Sequence, residues 1–267
     1  MQRNAVIQMN NFKLKNTLLN ENGMPMPKNI THEQQTPEQN YILAALSGAE
    51  RDRLLKHLDP VSLELGNVIY GPNQHISYAY FPTTSIISLQ YIMHTGACAE
   101  AAEVGNEGML GLPILLGGNA TPNQAIVQTA GQAYRLDQNI LKREFNSAGK
   151  MQQLLLRYTQ AVMTQMFQTA ACNRHHTIEQ QLCRWLLLTV DRIPSGELLM
   201  TQELVANMLG VRRESITEVA RGLQHSGCIR YRRGHILVLD RHKLENSACE
   251  CYSVVKKEFV RLMSGMR

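Results

Sequence analysis

TQELVANMLGVRRESITEVARGLQHSGCIRYRRGHILVL, residues 201–239, is the stretch that decides the fold. Thr201 can N-cap a helix, and Glu203 in its first turn suits the positive end of the helix dipole. Leu204, Val205, Met208 and Leu209 form the apolar stripe of that helix. Gly210 ends it, as glycine does where the backbone must turn through positive φ. Arg212 or Arg213 then opens a second helix, with Ile216, Val219, Ala220 and Leu223 at the i, i+3, i+4, i+7 spacing of a buried face. Glu214, Thr217, Glu218 and Arg221 follow the same spacing on the opposite face, with Arg213 beside them. Gly227 closes this helix. The residues from Cys228 to Tyr231 and from His235 to Leu239 read as two strands joined by Arg232-Arg233-Gly234, a hairpin with a basic tip.

Two helices joined by a glycine turn and followed by a basic hairpin make a winged helix-turn-helix. Arginine can bond both acceptors of guanine in the major groove, and glutamate can accept from the cytosine amino group. The N-terminal turn of the second helix is where such side chains reach base edges, which makes Arg213, Glu214 and Thr217 the expected base readers. Arg230, Arg232 and Arg233 are placed for phosphates, contacts that give affinity without sequence information. Thr201, Gln202, Arg212, Glu218 and Arg221 complete the expected DNA-facing set.

Charge agrees with this. From Met200 to Arg267 twelve Lys and Arg stand against seven Asp and Glu, a net +5, which is the net charge of the whole chain; the remaining residues hold fifteen of each sign. A basic segment on a neutral body implies a polyanionic partner. Apolar residues are 44% and charged residues 18% of the 267, ordinary for a globular protein. No apolar run approaches the roughly 18–20 residues that span a bilayer, and the Asn- and Gln-rich start is not a secretory signal. A cytoplasmic location without membrane association is expected. The six cysteines (Cys98, Cys172, Cys183, Cys228, Cys249 and Cys251) lack the C-x-x-C spacing of a zinc or iron–sulfur site. They are read as reduced thiols, with no metal expected.

Upstream, residues 1–36 carry few apolar side chains and are expected to be a loosely ordered extension. Two short helices follow, over 41–46 and 50–58, with Ser47 and Glu50 as a capping box. From Val61 to Leu136, β-rich runs at 68–70, 76–81, 86–91, 125–129 and 133–136 alternate with Gly, Pro and Asn turns, the texture of a jelly roll. A long helical stretch then reaches Arg174. Leu155, Tyr158 and Val162, continued by Gln165, Thr169 and Cys172, suggest a coiled-coil seam through which 151–174 pairs with a twin. A further helix from Ile178 to Val190 leads to a break at Pro194-Ser195-Gly196. The expected fold is α+β: extension 1–36, double-stranded β-helix (jelly-roll) sensor domain 37–148, dimerisation helix 149–176 and winged helix-turn-helix domain 177–267.

The stretch 201–239, and its G-x-x-R-E-S-I core from Gly210 to Ile216 above all, resembles the winged helix of the bacterial Crp/Fnr regulators, and the similarity in layout extends from about Tyr41 to Leu244. The resemblance implies a homodimer, not an enzyme, that binds double-stranded DNA at a near-palindromic operator. It leaves RNA polymerase and a small-molecule effector as open partners. Arg213 and Glu214 take the family's base-reading positions, with Thr217 a further contact; Glu218 stands where many members carry a second arginine. The family's effector segment falls on Glu107, Gly108, Gly111, Leu112, Pro113, Asn123 and Gln124. The G-E-L turn and R-S-A segment of the cyclic-AMP members are here Gly111-Leu112-Pro113 and Asn123-Gln124-Ala125. Both charged ligands are missing, so no usual cyclic-AMP binding is expected. No cysteine precedes Cys98, so the N-terminal iron–sulfur sensor is absent.

Alternatives remain at this point. An effector-independent regulator is one. A haem- or small-molecule-responsive one is another, given His75 and His94 in the roll, although surface or core histidines are the plainer explanation. His175-His176 fits a hinge or cap, and Cys249-x-Cys251 an ordinary thiol pair. A cupin-type oxygenase lacks its H-x-H pair, and a module without DNA binding sits poorly with Arg213, Glu214 and the basic hairpin.

Overall fold

The computed structural model describes residues 35–193 and 196–264. The extension expected over 1–36 lies outside them except for Gln35 and Thr36, as do Pro194 and Ser195 of the expected break.

A 3-10 turn (Pro37–Gln39) leads into α1 (Tyr41–Ala45) and α2 (Gly48–Leu55). Asn40, fully buried, caps α1: its Oδ1 accepts from the Ile42 and Leu43 N–H groups at 3.1 and 3.3 Å, while its Nδ2 donates to the carbonyls of Pro82 and Gly108 at 2.9 and 2.8 Å. The expected Ser47–Glu50 capping box does not form. Ser47 precedes α2 without a side-chain cap bond. Glu50 instead accepts from the N–H groups of Met151 and Lys150, at 2.8 and 3.2 Å, and so caps the long helix about a hundred residues away. That helix begins after Gly149, which has no capping side chain of its own.

The roll consists of β1 (Asp59–Leu63), β2 (Val68–Tyr70), β3 (Tyr78–Pro82), β4 (Ile86–Ile92), β5 (Cys98–Val104), the short helix α3 (Leu112–Leu115), β6 (Gln124–Thr129) and β7 (Gly131–Asp137). All pairings are antiparallel, in two sheets of order β1-β7-β3 and β2-β6-β4-β5. Phe81, Ile87, Val104, Ala125, Val127 and Leu136 fill the space between them. Sequence texture found five of these strands. It missed β1, which opens on Asp-Pro, and β5, whose CAEAAEV has helix-forming composition.

α4 (Gln138–Asn146) and α5 (Lys150–His175) follow. The residues expected to face a twin are used within the chain: Leu155, Tyr158 and Val162 join the roll's core, and Gln165, Thr169 and Cys172 are buried too. The last helix, α10 (Cys251–Met263), also returns along α5 and covers part of it. Tyr158 meets the Phe259 ring edge-on at 6.2 Å, and Gln168 Nε2 donates to Cys251 Sγ at 3.0 Å. The apolar residues that α5 leaves exposed are displaced from the expected seam: Leu156 at 55%, Met163 at 48% and Phe167 at 67%.

The C-terminal part comprises α6 (Ile178–Val190), β8 (Glu197–Leu199), α7 (Gln202–Leu209), α8 (Arg213–His225), β9 (Ile229–Arg232), β10 (His235–Val238) and α9 (Arg241–Ser247), before α10. Thr177 and Gln180 form a complete capping box for α6. Trp185, Leu186, Val205, Ile216, Leu223 and Ile236 belong to its separate core.

Candidate nucleic-acid interface

Thr201 caps α7, its Oγ1 accepting from the Leu204 N–H at 3.2 Å. Gly210 then takes φ +65°, and its N–H bonds back to the α7 carbonyls of Ala206 and Asn207. Ile216, Ala220 and Leu223 of α8 are buried as the spacing requires. The other face is open: Arg212, Arg213, Glu214, Glu218 and Arg221 are exposed, with Thr217 half-buried. Thr217 Oγ1 donates to Gln202 Oε1 at 2.7 Å, so two expected DNA-facing residues are fixed to each other across the turn. Arg212 precedes the first turn of α8 as its N-cap residue, and Arg213 begins that turn. Carbonyl-free N–H groups and the helix dipole add positive potential there.

β9 and β10 form a hairpin in which Arg232 pairs with His235, leaving Arg233 and Gly234 as a two-residue loop. Both have positive φ, +50° and +83°, as a tight hairpin turn of the primed type requires. A non-glycine residue there stores strain of about 1–2 kcal/mol, and the residue that bears it is an exposed arginine. β8 completes the sheet in the order β8-β10-β9. A groove of about 390 Å³ lies beside the hairpin, lined by Arg230, Arg232, Arg233, His235, Glu197 and Leu237. Among the described residues, Arg212, Arg213, Arg221, Arg230, Arg232 and Arg233 make no ion pair. Their charge is available to a polyanion.

The expected effector segment lies mostly inside the protein. Glu107 Oε1 accepts from Arg192 Nε at 2.9 Å. A Cβ on Gly108 would stand 2.3 Å from the Tyr158 ring, so only glycine fits against α5. Gly111 turns at φ +116° into α3, which Leu112 and Pro113 begin. Asn123 and Gln124 are each 6% exposed, and Gln124 Nε2 donates to Gln90 Oε1 at 3.2 Å. A depression of about 210 Å³ lies elsewhere in the roll, lined by Tyr70, His75, Tyr78 and Tyr80 among others. His75 is exposed and shares a 2.8 Å hydrogen bond with Gln138; His94 is exposed in the β4–β5 turn.

A helix-turn-helix whose reading face is bare and a strained basic wing beside it match a known domain. The family model described as a Crp-like helix-turn-helix domain matches residues 180–247. The segment is similar to a Crp-like helix-turn-helix domain. Solved structures match a larger share of the chain. FixK2 from Bradyrhizobium japonicum aligns with a TM-score of 0.63 at 16% identity, covering 72% of this chain and 98% of its own. A putative Crp/Fnr-family transcriptional regulator from Eubacterium rectale gives 0.62 at 16%, covering 78% and 98%. CLP of Xanthomonas campestris, described as a c-di-GMP-responsive global regulator, gives 0.57 at 12%, covering 73% and 100%. At such identities the likeness is one of fold: antiparallel roll, long helix and winged helix-turn-helix. No curated protein sequence matches the chain.

The Crp-like domain docks on β4 and β5 of the roll through buried polar groups. Trp185 Nε1 donates to Glu100 Oε1 at 2.9 Å, Thr189 Oγ1 to Glu103 Oε1 at 2.7 Å, and Arg192 Nη1 to Glu103 Oε2 at 3.1 Å. Gln90 Nε2 points to Met208 Sδ at 2.8 Å. A Cβ on Gly210 would lie 3.2 Å from Ala99 Cβ, so the turn of the motif touches β5. Burial, with Glu103 alongside, pushes the Glu100 carboxyl well above its usual range, against hydrogen bonds from Ser88 and Trp185. Burial also raises Glu103, although Arg192 opposes it. Burial works against the Arg192 charge, yet Glu107 and Glu103 hold its pKa above the ordinary value.

The cysteines need a correction. They are unclustered along the chain, but Cys172, Cys249 and Cys251 form a buried group of their own, and His176 joins them at the C-cap of α5. His175 is exposed, in keeping with adjacent residues pointing apart on a helix. Burial pushes the Cys172 thiol up to about 12. Spacing alone could not reveal the group, because 77 residues separate Cys172 from Cys249.

Proposed function

We propose that this chain is a DNA-binding transcription regulator of the Crp/Fnr type, working as a homodimer on a near-palindromic operator. α8 enters the major groove, where Arg213, Glu214 and Thr217 read base edges, and Arg230, Arg232 and Arg233 hold phosphates. One observation carries this reading: the α8 face opposite its buried residues presents Arg213 and Glu214 to solvent, with no ion pair among the described residues. Glu218, exposed on the same face, replaces the second base-reading arginine of many relatives. A half-site different from the family's usual one follows.

Dimerisation runs along α5 through Leu156, Met163 and Phe167. Their spacing, seven then four residues, keeps them on one stripe, and Gln160 lies between them at a compatible position. The effector, where there is one, is not cyclic AMP bound in the usual way, since Leu112, Asn123 and Gln124 replace the charged ligands and the segment is packed. That packing also favours control without a nucleotide effector. The domain and fold are those of DNA-binding regulators rather than of an enzyme. Selection from a random duplex pool with the full chain tests the proposal. Enrichment of a two-fold symmetric site supports it; a pool that stays random overturns it.

A further inference from the structure

Four side chains from the end of α5 and the start of α10 converge. Cys172 and His176 are four residues apart at the end of α5, on one face of it. Cys249 and Cys251 bracket the start of α10. Cys172 Sγ lies 3.5 Å from Cys249 Sγ, and Cys251 Sγ lies 3.5 Å from His176 Nδ1. All four atoms fall within 4.8 Å of one another. A tetrahedral zinc with bonds of about 2.3 Å to sulfur and 2.0–2.1 Å to nitrogen has S···S edges near 3.8 Å and S···N edges near 3.6 Å. The two separations lie close to those edges. A disulfide would need about 2.05 Å between the sulfurs.

The surroundings are those of a metal site rather than of idle thiols. Cys172 and Cys251 are fully buried and Cys249 is 6% exposed. The second ring nitrogen of His176, Nε2, lies 3.3 Å from Glu250 Oε2, the carboxylate partner that orients a ligating imidazole. Gln168 Nε2 donates to Cys251 Sγ at 3.0 Å, a bond that a thiolate accepts far better than a thiol. Arg184, 3% exposed, has no carboxylate within salt-bridge reach among the described residues, and its Nε has no hydrogen-bond partner. Its charge acts on Cys172. Buried thiols that only fill space call for none of these polar groups.

We propose that Cys172, His176, Cys249 and Cys251 bind one Zn²⁺ in a closed structural site. Three thiol protons leave to solvent, and three thiolates and His176 Nδ1 fill the four positions. The complex carries one net negative charge, which the buried Arg184 guanidinium balances. No coordination position remains for substrate, so the ion does no chemistry. It ties the end of α5 to the segment after α9, and thereby fixes how the Crp-like domain is mounted on the long helix. A three-sulfur, one-nitrogen tetrahedral set favours zinc over the harder divalent ions.

The test uses the untagged full chain purified under reductant, with metal content read by elemental mass spectrometry. About one zinc per chain is expected. Cys251→Ala and His176→Ala are expected to lose at least nine-tenths of it, while Cys98→Ser, on β5, keeps it. If the cluster variants fail to fold, cobalt added to the chelator-stripped parent is expected to give the absorption of a tetrahedral thiolate complex, saturating at one equivalent. Parent protein with less than a tenth of an equivalent of zinc and no such cobalt spectrum overturns the proposal. So does zinc retained by well-folded cluster variants. An intact mass short by two hydrogens, mapped to Cys172 and Cys249, would replace the metal site with a disulfide.

Discussion

The indole Nε1 of Trp185 donates to the Glu100 carboxylate across 2.9 Å, and both side chains are buried. One belongs to the first helix of the Crp-like domain and the other to the roll, so this hydrogen bond crosses from roll to helix-turn-helix beside those of Thr189 and Arg192. Its acceptor is a carboxyl whose pKa burial has raised. The native state therefore holds a proton that the unfolded chain releases near the ordinary carboxylate value. Stability then falls as pH rises from that value through the native pKa. Glu100→Gln has no such proton to lose. Relative to the parent, the variant is expected to gain stability as pH rises above the ordinary carboxylate value in urea denaturation. A difference that stays constant as pH rises would show that Glu100 is not the titrating group.

Arg192 bridges two carboxylates, Glu103 at 3.1 Å and Glu107 at 2.9 Å, with its own side chain 7% exposed. Arg192→Met leaves buried negative charge without its partner, at a cost of about 3–5 kcal/mol. Thermal unfolding measures the loss. The triple variant with Glu103→Gln and Glu107→Gln is expected to recover most of it, and failure to recover would assign the loss to packing instead.

Phe167 is the most exposed large apolar residue on α5. Phe167→Glu is expected to convert a dimer to a monomer in light scattering without changing the far-ultraviolet circular dichroism. A persistent dimer would move the interface off this face. A monomeric parent, with or without DNA, would refute the dimer altogether.

Arg213→Ala is expected to cost about 1–3 kcal/mol on the selected site and little on random duplex. Arg232→Ala is expected to weaken both equally and to lower the salt dependence of binding by about one phosphate contact. Gel shifts at several salt concentrations separate the two patterns; identical behaviour of the variants would contradict the assignment of bases to α8 and phosphates to the wing.

Cyclic AMP and cyclic GMP are expected to give no saturable heat at micromolar concentration in calorimetric titration, because the position of the family's phosphate-binding arginine is neutral here. Clear saturation would show that the packed segment opens for a nucleotide after all.

The reader was legible in the sequence because its signals are local. Thr201, Gly210 and the spacing of Ile216, Ala220 and Leu223 need only a few residues of context, and all three act as their types predict. β5 was not legible. Ala and Glu favour helix when nothing else decides, but here Glu100 and Glu103 are drawn into a strand by Trp185, Thr189 and Arg192, all more than eighty residues away. The seam on α5 failed for a related reason. Tyr158, Gln165 and Cys172 do form one stripe, but what covers it is the roll and the C-terminal segment around α10 of the same chain, and helix periodicity does not say which surface will arrive. Glu50 was given the right kind of task on the wrong helix, since capping rules look three residues away and not a hundred. His176 and the three cysteines needed the same tertiary information.

A methyl group on Gly210 would stand 3.2 Å from Ala99 Cβ, tighter than ordinary contact. The consequence is mechanical. Any side chain larger than hydrogen at position 210 would have to push back either β5 or the helix that carries Arg213.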